Sequence, residues 1–377
     1  MSAAGRVRDL MRNELNFSGG PGALPASVLQ EAQRAVVALP ETGLSVLGMS
    51  HRSDWFRGVL DETERNLRTL LAIPDDYHVL FIQGGSSLQF STLPMSFLRG
   101  SGRTAEYIVS GYWSAKAPPE ARLEGDTRVV WDGSSSGYRT LPAAAGLQLS
   151  AEAAYLHYVS NETVEGVEFS EIPGLPGVPL VCDMSSNIAA APLDVSRYDL
   201  IYAHAQKNLG PAGITVVILR DSFLRRAASP LPTMLDYRVH VQSRSLYNTP
   251  PVFAIYVLML VTRWLRDEIG GLAAMAALNR AKADAIYGAL DAHPDFFRVH
   301  ALRPHRSTMN VAFRLPDPAA EAQLLRAAIE AGFSGLEGHR SIGGLRISLY
   351  NAVTLQGATT LAAWLTDFQR RYGQLSV

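Results

Sequence analysis

Short apolar runs alternate with amphipathic stretches over most of the chain. The run at residues 78–83 predicts a buried strand, and similar runs predict strands at 105–109, 127–131, 154–158, 179–183, 200–205 and 214–219. Helical spacing of apolar residues predicts helices at 28–37, 55–71 and 88–98. Strands separated by helices indicate an α/β fold with a mostly parallel sheet. The Gly/Pro turn at 208–213 joins the last two strands directly, so we expect them to be antiparallel neighbours.

The last third of the chain has a different pattern. Two long helices are predicted at 250–266 and 272–290, with Gly270-Gly271 between them. The remainder predicts an α+β unit, with strands at 297–300, 309–314 and 345–349 and helices at 319–331 and 357–372. We therefore expect an N-terminal arm at 1–15, a large domain at 16–267 and a small C-terminal domain at 268–377.

Composition and charge narrow the class of protein. Of the 377 residues, 47% are hydrophobic and 18% are charged, as in an ordinary globular protein. The net charge of −1 gives no field that would attract nucleic acid or an anionic membrane. The single cysteine, Cys182, excludes an intrachain disulfide, and we expect no metal site. The longest apolar run, at 252–261, is about half of a membrane span, so we expect a soluble cytoplasmic protein.

Lysine is rare enough to make one lysine conspicuous. The chain has 31 arginines but only three lysines: Lys116, Lys207 and Lys282. Lys207 follows a hydrophobic strand and opens a glycine-rich turn, where a partly desolvated amine could form a Schiff base with a carbonyl cofactor. Asp183 ends the preceding strand, and 24 residues allow one crossover to Lys207. We therefore expect both side chains to face one ligand, with Asp183 paired to a protonated pyridine nitrogen.

Further candidates recognise anions. The segment from Gly84 to Ser87 lies between a strand and a helix, where backbone N–H groups and two hydroxyls suit a phosphate. It has neither a P-loop nor a dinucleotide fingerprint, which disfavours a nucleotide-dependent enzyme. Two His-Arg-Ser triplets, distant in sequence, could converge on a polyanion. They contain His51, Arg52, His339 and Arg340, and Arg346 follows the second.

Nine segments in order resemble the phosphoserine aminotransferases, pyridoxal 5'-phosphate (PLP) enzymes of the fold-type-I superfamily. The resemblance runs from Asn16 almost to the C-terminus. The segments are 16–25, 49–53, 81–87, 113–117, 160–163, 183–186, 205–213, 247–251 and 338–341. It implies transamination between O-phospho-L-serine and 2-oxoglutarate, or between 3-phosphohydroxypyruvate and glutamate, in serine biosynthesis. A phosphorylated hydroxythreonine intermediate of pyridoxal synthesis is a further possible substrate.

The resemblance also implies residue roles. Lys207 would bind the cofactor and transfer a proton, Asp183 would hold the pyridinium nitrogen, and Trp113 would stack on the ring. The remaining cofactor contacts would come from Ser86, Ser87, Thr163 and Gln206. Asn248 and Thr249 would come from a second subunit, which makes the active unit a homodimer. Arg346 would bind the substrate α-carboxylate, and His51, Arg52, His339 and Arg340 would bind the phosphate or distal carboxylate.

Some positions depart from the family's pattern and leave alternatives open. Ser87 stands where some members have arginine, Ala191 where the family often has arginine, and His204 where it has a small residue. An aminotransferase for another acidic or phosphorylated amino acid therefore remains an alternative. A cysteine desulfurase-type lyase is rejected because Cys182 is predicted inside a strand. A catalytically silent binding protein is disfavoured because the lysine, the aspartate and the arginines are all present.

Overall fold

The computed structural model describes residues 12–375, with side chains described as far as residue 372. Most of the predicted N-terminal arm, residues 1–11, lies outside the described residues. The larger body has a seven-stranded sheet in the order β1-β9-β8-β7-β4-β2-β3. Its strands are β1 (Tyr77–Ile82), β2 (Ala105–Val109), β3 (Thr127–Asp132), β4 (Tyr155–Val159), β7 (Leu180–Asp183), β8 (Leu200–His204) and β9 (Thr215–Arg220).

The direction of the strands follows from the length of their connections. Four neighbouring pairs of strands are parallel: β2–β3, β2–β4, β4–β7 and β7–β8. Each crossover has the length that a parallel connection requires. The short turn after β8 makes β8 and β9 antiparallel, as predicted, and β1 is antiparallel to β9. The carboxyl ends of β1, β4, β7 and β8 therefore lie at one edge of the sheet. Ligands of α/β proteins bind at such an edge.

Helices cover both faces of this sheet. They are α1 (Ala26–Val37), α2 (Asp54–Leu71), α3 (Gly85–Phe97), α4 (Ala117–Ala121), α5 (Asp221–Leu224), α6 (Tyr237–Gln242) and α7 (Val252–Arg263). Alternate residues of β8 enter opposite cores: Ile201 and Ala203 pack in the core that includes α2 and α7, and Tyr202 packs in the core that includes α3. Because both faces are covered, the strands are continuous apolar runs in the sequence.

A second core forms around a three-stranded antiparallel sheet. The strands are β10 (Arg298–Val299), β11 (Asn310–Arg314) and β12 (Leu345–Ser348), and the helices are α8 (Leu272–Asp291), α9 (Pro318–Glu330) and α10 (Leu355–Leu375). Leu15 and Phe17 pack in this core, although they are near the start of the chain. The backbone N–H of Ser348 donates to the Phe17 carbonyl at 3.1 Å. The entering chain thus lies beside β12, and the domain boundary at 267/268 stays a prediction.

Several local elements were not predicted, among them the short helices α4, α5 and α6. A short hairpin pairs β5 (Asn161–Glu162) with β6 (Val167–Glu168), immediately after β4. A π-helical turn, Trp264–Glu268, follows α7 within the stretch predicted as one helix. β5 contains only Asn161 and Glu162, so it has no apolar run to detect, and a single widened turn has no periodicity of its own. None of the helices within residues 12–375 is both long enough and apolar enough to cross a membrane.

Candidate active site

A cavity of about 240 Å³ lies at the carboxyl edge of the large sheet. Asp183 at the end of β7 lies in its wall, as does Lys207, three residues after β8 ends. The other lining residues are Gly84, Gly85, Ser86, Ser87, Trp113, Val159, Asn161, Thr163, Ser185, Ser186, His204 and Gln206. Seven predicted residues therefore lie around one space: Lys207, Asp183, Ser86, Ser87, Trp113, Thr163 and Gln206. His204, noted in the sequence only as a departure from the family pattern, lies there too.

Lys207 is buried, and its amine loses a proton more readily than that of an ordinary lysine. Its Nζ donates to Thr163 Oγ1 at 2.6 Å and lies 5.9 Å from the centre of the Trp113 ring. Burial lowers the pKa of Lys207 to about 8, against the attraction of Asp183, and the nearby Arg346 lowers it further. Little free energy therefore separates the two protonation states of this amine at neutral pH. A lysine in this state can act both as a nucleophile and as a base.

Asp183 is held in one orientation by the turn that follows β7. Its Oδ1 accepts hydrogen bonds from the backbone N–H of Ser185 at 2.8 Å and from Ser185 Oγ at 2.5 Å. Burial raises the pKa of Asp183, while these hydrogen bonds and the charge of Lys207 oppose the rise. A carboxylate buried in this way gains most from a cationic partner inside the cavity.

The start of α3 lies where the sequence predicted an anion site. Gly84 and Gly85 have φ values of 97° and 67°, so the chain turns from β1 into the helix through left-handed backbone that glycine adopts readily. The free N–H groups of the first turn and the hydroxyls of Ser86 and Ser87 lie at the cavity wall. Ser86 Oγ lies 2.6 Å from Ser185 Oγ, which connects this site to the Asp183 turn.

Cations gather around the approach to Lys207. The Arg346 guanidinium lies against Gly19, and its Nε has no hydrogen-bond partner although it is buried. The His339 ring lies 4.5 Å from the Tyr112 ring, and burial lowers the pKa of His339. The charges of Arg346, Arg340 and Lys116 lower it further, so all four side chains share one neighbourhood. An anionic ligand would reduce this repulsion.

Seven predicted residues are not among those that line the Lys207 cavity: His51, Arg52, Asn248, Thr249, His339, Arg340 and Arg346. His51 and Arg52 precede α2, and Asn248 and Thr249 precede α7. Asn248 Nδ2 donates to Gln83 Oε1 at 3.4 Å, so this segment lies beside the end of β1. The structure therefore brings seven predicted residues together around the cavity. Of the seven outside its lining, Arg346 is close enough to lower the pKa of Lys207, and His339 and Arg340 lie near Arg346.

The two helices that follow these segments are parallel. The ring of Trp55 in α2 lies 5.7 Å from that of Tyr256 in α7, and further along both helices Arg263 Nη2 donates to Glu62 Oε2 at 2.7 Å. Contacts that advance together along both chains require the two helices to point the same way. The His51 and Asn248 segments therefore lie at the same end of the helix pair.

Sequence reasoning missed several residues of the site. Ser185 and the buried pair Glu162 and Glu165 were not singled out, and His204 was noted only as a departure. His204 lines the cavity, its Nδ1 has no hydrogen-bond partner, and burial lowers its pKa to about 3. No cluster of His, Cys, Asp or Glu suited to a metal ion occurs among residues 12–372.

Comparisons with known proteins place this geometry in a family. The class-V aminotransferase model matches residues 15–361. A phosphoserine aminotransferase from Geobacillus kaustophilus is 47% identical over 362 residues, covering 96% of this chain and all of the relative. The solved phosphoserine aminotransferase from Bacillus circulans subsp. alkalophilus is 46% identical with a TM-score of 0.92, over 94% of this chain and 98% of that one.

A third relative bears on the cofactor. The PLP-bound phosphoserine aminotransferase from Trichomonas vaginalis is 36% identical with a TM-score of 0.86, over 93% of this chain and 99% of that one. These matches confirm the resemblance, the fold class and the PLP cofactor that were predicted from the sequence. The chain therefore belongs to the phosphoserine aminotransferase family, within the PLP-dependent class-V aminotransferases.

Proposed function

We propose that the enzyme interconverts O-phospho-L-serine and 2-oxoglutarate with 3-phosphohydroxypyruvate and glutamate, as a step of serine biosynthesis. The observation that carries this proposal is the cation cluster beside Lys207. Arg346 has an unpaired Nε, and His339 and Arg340 lie nearby. Each proposed substrate has an α-carboxylate and a distal anion, and arginine pairs with both kinds of group in bidentate geometry.

The cavity residues fit PLP. The orphaned imidazole of His204 and the turn at Gly84–Ser87 leave polar groups without protein partners at one wall, as a phosphate site requires. At another wall, Asp183 would hold the pyridine nitrogen and Trp113 would cover the ring. Thr163, Ser86, Ser87 and Gln206 would complete the cofactor contacts from this protomer. When bound, PLP supplies an electron-withdrawing ring that stabilises negative charge at the substrate α-carbon.

The protein's part in the reaction is binding and proton transfer. Arg346 binds the α-carboxylate and so directs the α-carbon toward Lys207. The Nζ of Lys207, with its lowered pKa, would take the proton from the α-carbon of the amino donor and pass it to the bound cofactor. With the amino acceptor, the same Nζ would deliver a proton to the α-carbon. Thr163, 2.6 Å from this Nζ, fixes the direction of the amine. The amino donor and the amino acceptor use the same site in turn, which gives ping-pong kinetics.

The proposal includes a homodimer with shared sites. Asn248 and Thr249, assigned to a second subunit by the resemblance, lie outside the Lys207 cavity of their own protomer. His51 and Arg52 lie at the same end of the α2–α7 pair as Asn248 and Thr249. We therefore propose that all four residues contribute to the active site of the partner subunit. Apolar side chains beside both segments are exposed: Leu44 by 58%, Leu47 by 64% and Tyr247 by 53%. Such a patch is typical of an interface. The cytoplasmic location stays a prediction.

The first experiment is a spectral titration of the cofactor-loaded enzyme. O-Phospho-L-serine and L-glutamate, added separately, should each remove the visible absorption band of the bound cofactor, because both are amino donors for one site. Lys207→Ala should show neither change and no turnover. A response to glutamate alone would contradict phosphoserine as the substrate. It would favour an aminotransferase for another acidic amino acid. His204 and Ala191 would then be the first positions to replace by the residues that are usual in the family. Failure of both donors would contradict the proposed function as a whole.

A further inference from the structure

Two buried glutamates hold the segment that carries Trp113. Glu162 lies at the end of β5, and its carboxylate accepts hydrogen bonds from the backbone N–H of Trp113 at 3.1 Å and of Ser114 at 2.9 Å. Glu165 accepts from the backbone N–H of Tyr112 at 2.9 Å. The backbone amides of residues 112–114 thus all donate to two carboxyl groups of the β5–β6 hairpin. Glu162 is 0% exposed and Glu165 is 2% exposed.

The two carboxyl groups meet at Gly111. A Cβ added to Gly111 would lie 2.5 Å from Glu165 Oε2 and 2.7 Å from Glu162 Cδ. Glu165 Oε2 is buried and has no hydrogen-bond partner. Glycine is thus the residue that lets both acids approach the loop backbone. Two carboxylates this close and this deeply buried are expected to share a proton, since two negative charges would repel each other.

The charged groups around the pair favour the same state. Burial raises the pKa of Glu165, the neighbouring Glu162 raises it further, and the hydrogen bond from Tyr112 and the charge of Arg346 oppose this. Burial likewise raises the pKa of Glu162, and Asp183 contributes to the rise. Tyr138 faces both acids, and Lys207 attracts Glu162. One negative charge on the pair is therefore balanced by Arg346 and Lys207.

We propose that Glu162 and Glu165 are positioning residues that hold the 112–114 backbone and thereby fix the Trp113 ring over the cofactor. Neither lines the Lys207 cavity, and both act through the loop amides. A carboxylate bonded to two consecutive N–H groups restricts the loop more strongly than a neutral acceptor would, because charge-assisted hydrogen bonds are about twice as strong. The inference rests on the proposed function for the role of Trp113, whereas the clamp itself rests on the contacts described here.

The test is a double-mutant cycle between Glu162→Ala and Trp113→Phe in the loaded enzyme. If Glu162 acts through Trp113, we expect Glu162→Ala to lower kcat/KM about tenfold in the native background and far less in the Trp113→Phe background. The circular dichroism of the bound cofactor should weaken in the same pattern. Glu162→Gln keeps one acceptor oxygen and should lose less. Equal losses in both backgrounds would overturn the proposal.

Glu168→Ala is the matched control. Glu168 lies in the same hairpin and accepts hydrogen bonds from Asn187 Nδ2 at 3.1 Å and Thr308 N–H at 2.8 Å, but it does not bond to the 112–114 amides. Glu168→Ala should therefore change kcat/KM by the same factor in the native and Trp113→Phe backgrounds. If Glu168→Ala reproduced the Glu162→Ala pattern, the effect would be general loosening of the hairpin and the clamp would be refuted.

A measurement without cofactor separates the clamp from the proposed function. The emission of Trp113, obtained as the difference between each protein and its Trp113→Phe partner, should shift when Glu162 is replaced by Ala and remain unshifted for Glu168→Ala. If this shift occurs but kinetics are insensitive to Trp113→Phe, the clamp holds and the assigned role of Trp113 fails. If the emission does not shift, the clamp itself is contradicted.

Discussion

At the scale of single residues, the other buried lysine provides a stability prediction. Lys282 in α8 is 0% exposed, and its Nζ donates to the carbonyl oxygens of Leu349 at 3.0 Å and Tyr350 at 2.9 Å. These carbonyls follow β12, which carries Arg346, and the next residue, Asn351, donates its backbone N–H to Asn208 Oδ1 at 3.0 Å. Lys282 thus connects the second core to the residue beside Lys207.

Lys282→Met should change how stability depends on pH. Burial lowers the pKa of Lys282 to about 7, below its ordinary value of 10.5, so the unfolded chain binds more protons between these values. The free energy of unfolding of the native protein should therefore rise relative to Lys282→Met as pH increases from 7 to 9, by about 1 kcal/mol per pH unit. Urea denaturation at three pH values measures this. Identical pH slopes for both proteins would contradict the assignment.

Residues such as these show where sequence reasoning stops. Lys207 and Asp183 could be found because Asp183 ends a buried strand, Lys207 closely follows one, and each has the chemistry of a carbonyl cofactor site. Glu162, Glu165 and Lys282 could not, since a charged residue in a short hairpin or a helix is ordinarily exposed and nothing in the pattern says otherwise. Their partners are backbone groups, which have no signature in the sequence.

At the scale of elements, the irregular segment that begins at Asn16 shapes the proposed substrate site. The chain after Phe17 lies beside β12, and a Cβ added to Gly19 would lie 2.2 Å from Arg346 Nη2. Gly19→Ala should therefore displace the Arg346 guanidinium and leave the core unchanged. We expect KM to rise about tenfold for both amino donors, the loss typical of one charge-assisted hydrogen bond.

Steady-state kinetics with a matched glycine control decide this prediction. Gly146 has open space around its Cα, so Gly146→Ala should leave KM unchanged. Thermal unfolding should be nearly the same for both variants. A fall in kcat for Gly19→Ala with unchanged KM would mean that Gly19 does not position the carboxylate ligand.

The large elements were predictable because they are periodic. Burial on both faces of the sheet makes each strand a continuous apolar run, and one covered face gives α2 its amphipathic spacing. The turn at 208–213 even gave the direction of β9. The hairpin of β5 and β6 lacks such a signal because its strands are too short to show a period. Yet β5 carries Glu162, and the turn between the two strands carries Thr163 and Glu165.

At the scale of the whole molecule, shared sites can be tested by mixing two inactive proteins. Lys207→Ala removes the catalytic amine, and Arg52→Ala removes a group that we assign to the partner's site. In a mixed dimer, one site combines Lys207 of one protomer with Arg52 of the other and is intact. Random reassociation should therefore restore about a quarter of the native activity.

The control for this mixture pairs Lys207→Ala with Asp183→Ala, since both residues belong to the same protomer's cavity. Each site of this mixed dimer then lacks either Lys207 or Asp183. Activity should therefore stay absent. Failure of the Arg52→Ala mixture to recover activity, when sedimentation shows that mixed dimers have formed, would place Arg52 in its own protomer's site. The sequence alone could not decide this, because both subunits have the same sequence and no pattern in it shows which subunit contributes a residue to a given site.

The scarcity of lysine has a practical consequence for chemical labelling. Of the three lysines, Lys207 is 7% exposed and Lys282 is 0% exposed, whereas Lys116 is exposed and its Nζ lies 4.6 Å from the centre of the Tyr112 ring. A succinimidyl ester dye added at limiting concentration should therefore acylate one side-chain amine, beside the loop that carries Trp113. Peptide mass mapping would verify the position. The dye would then report on each entry of substrate into the cavity without an engineered cysteine.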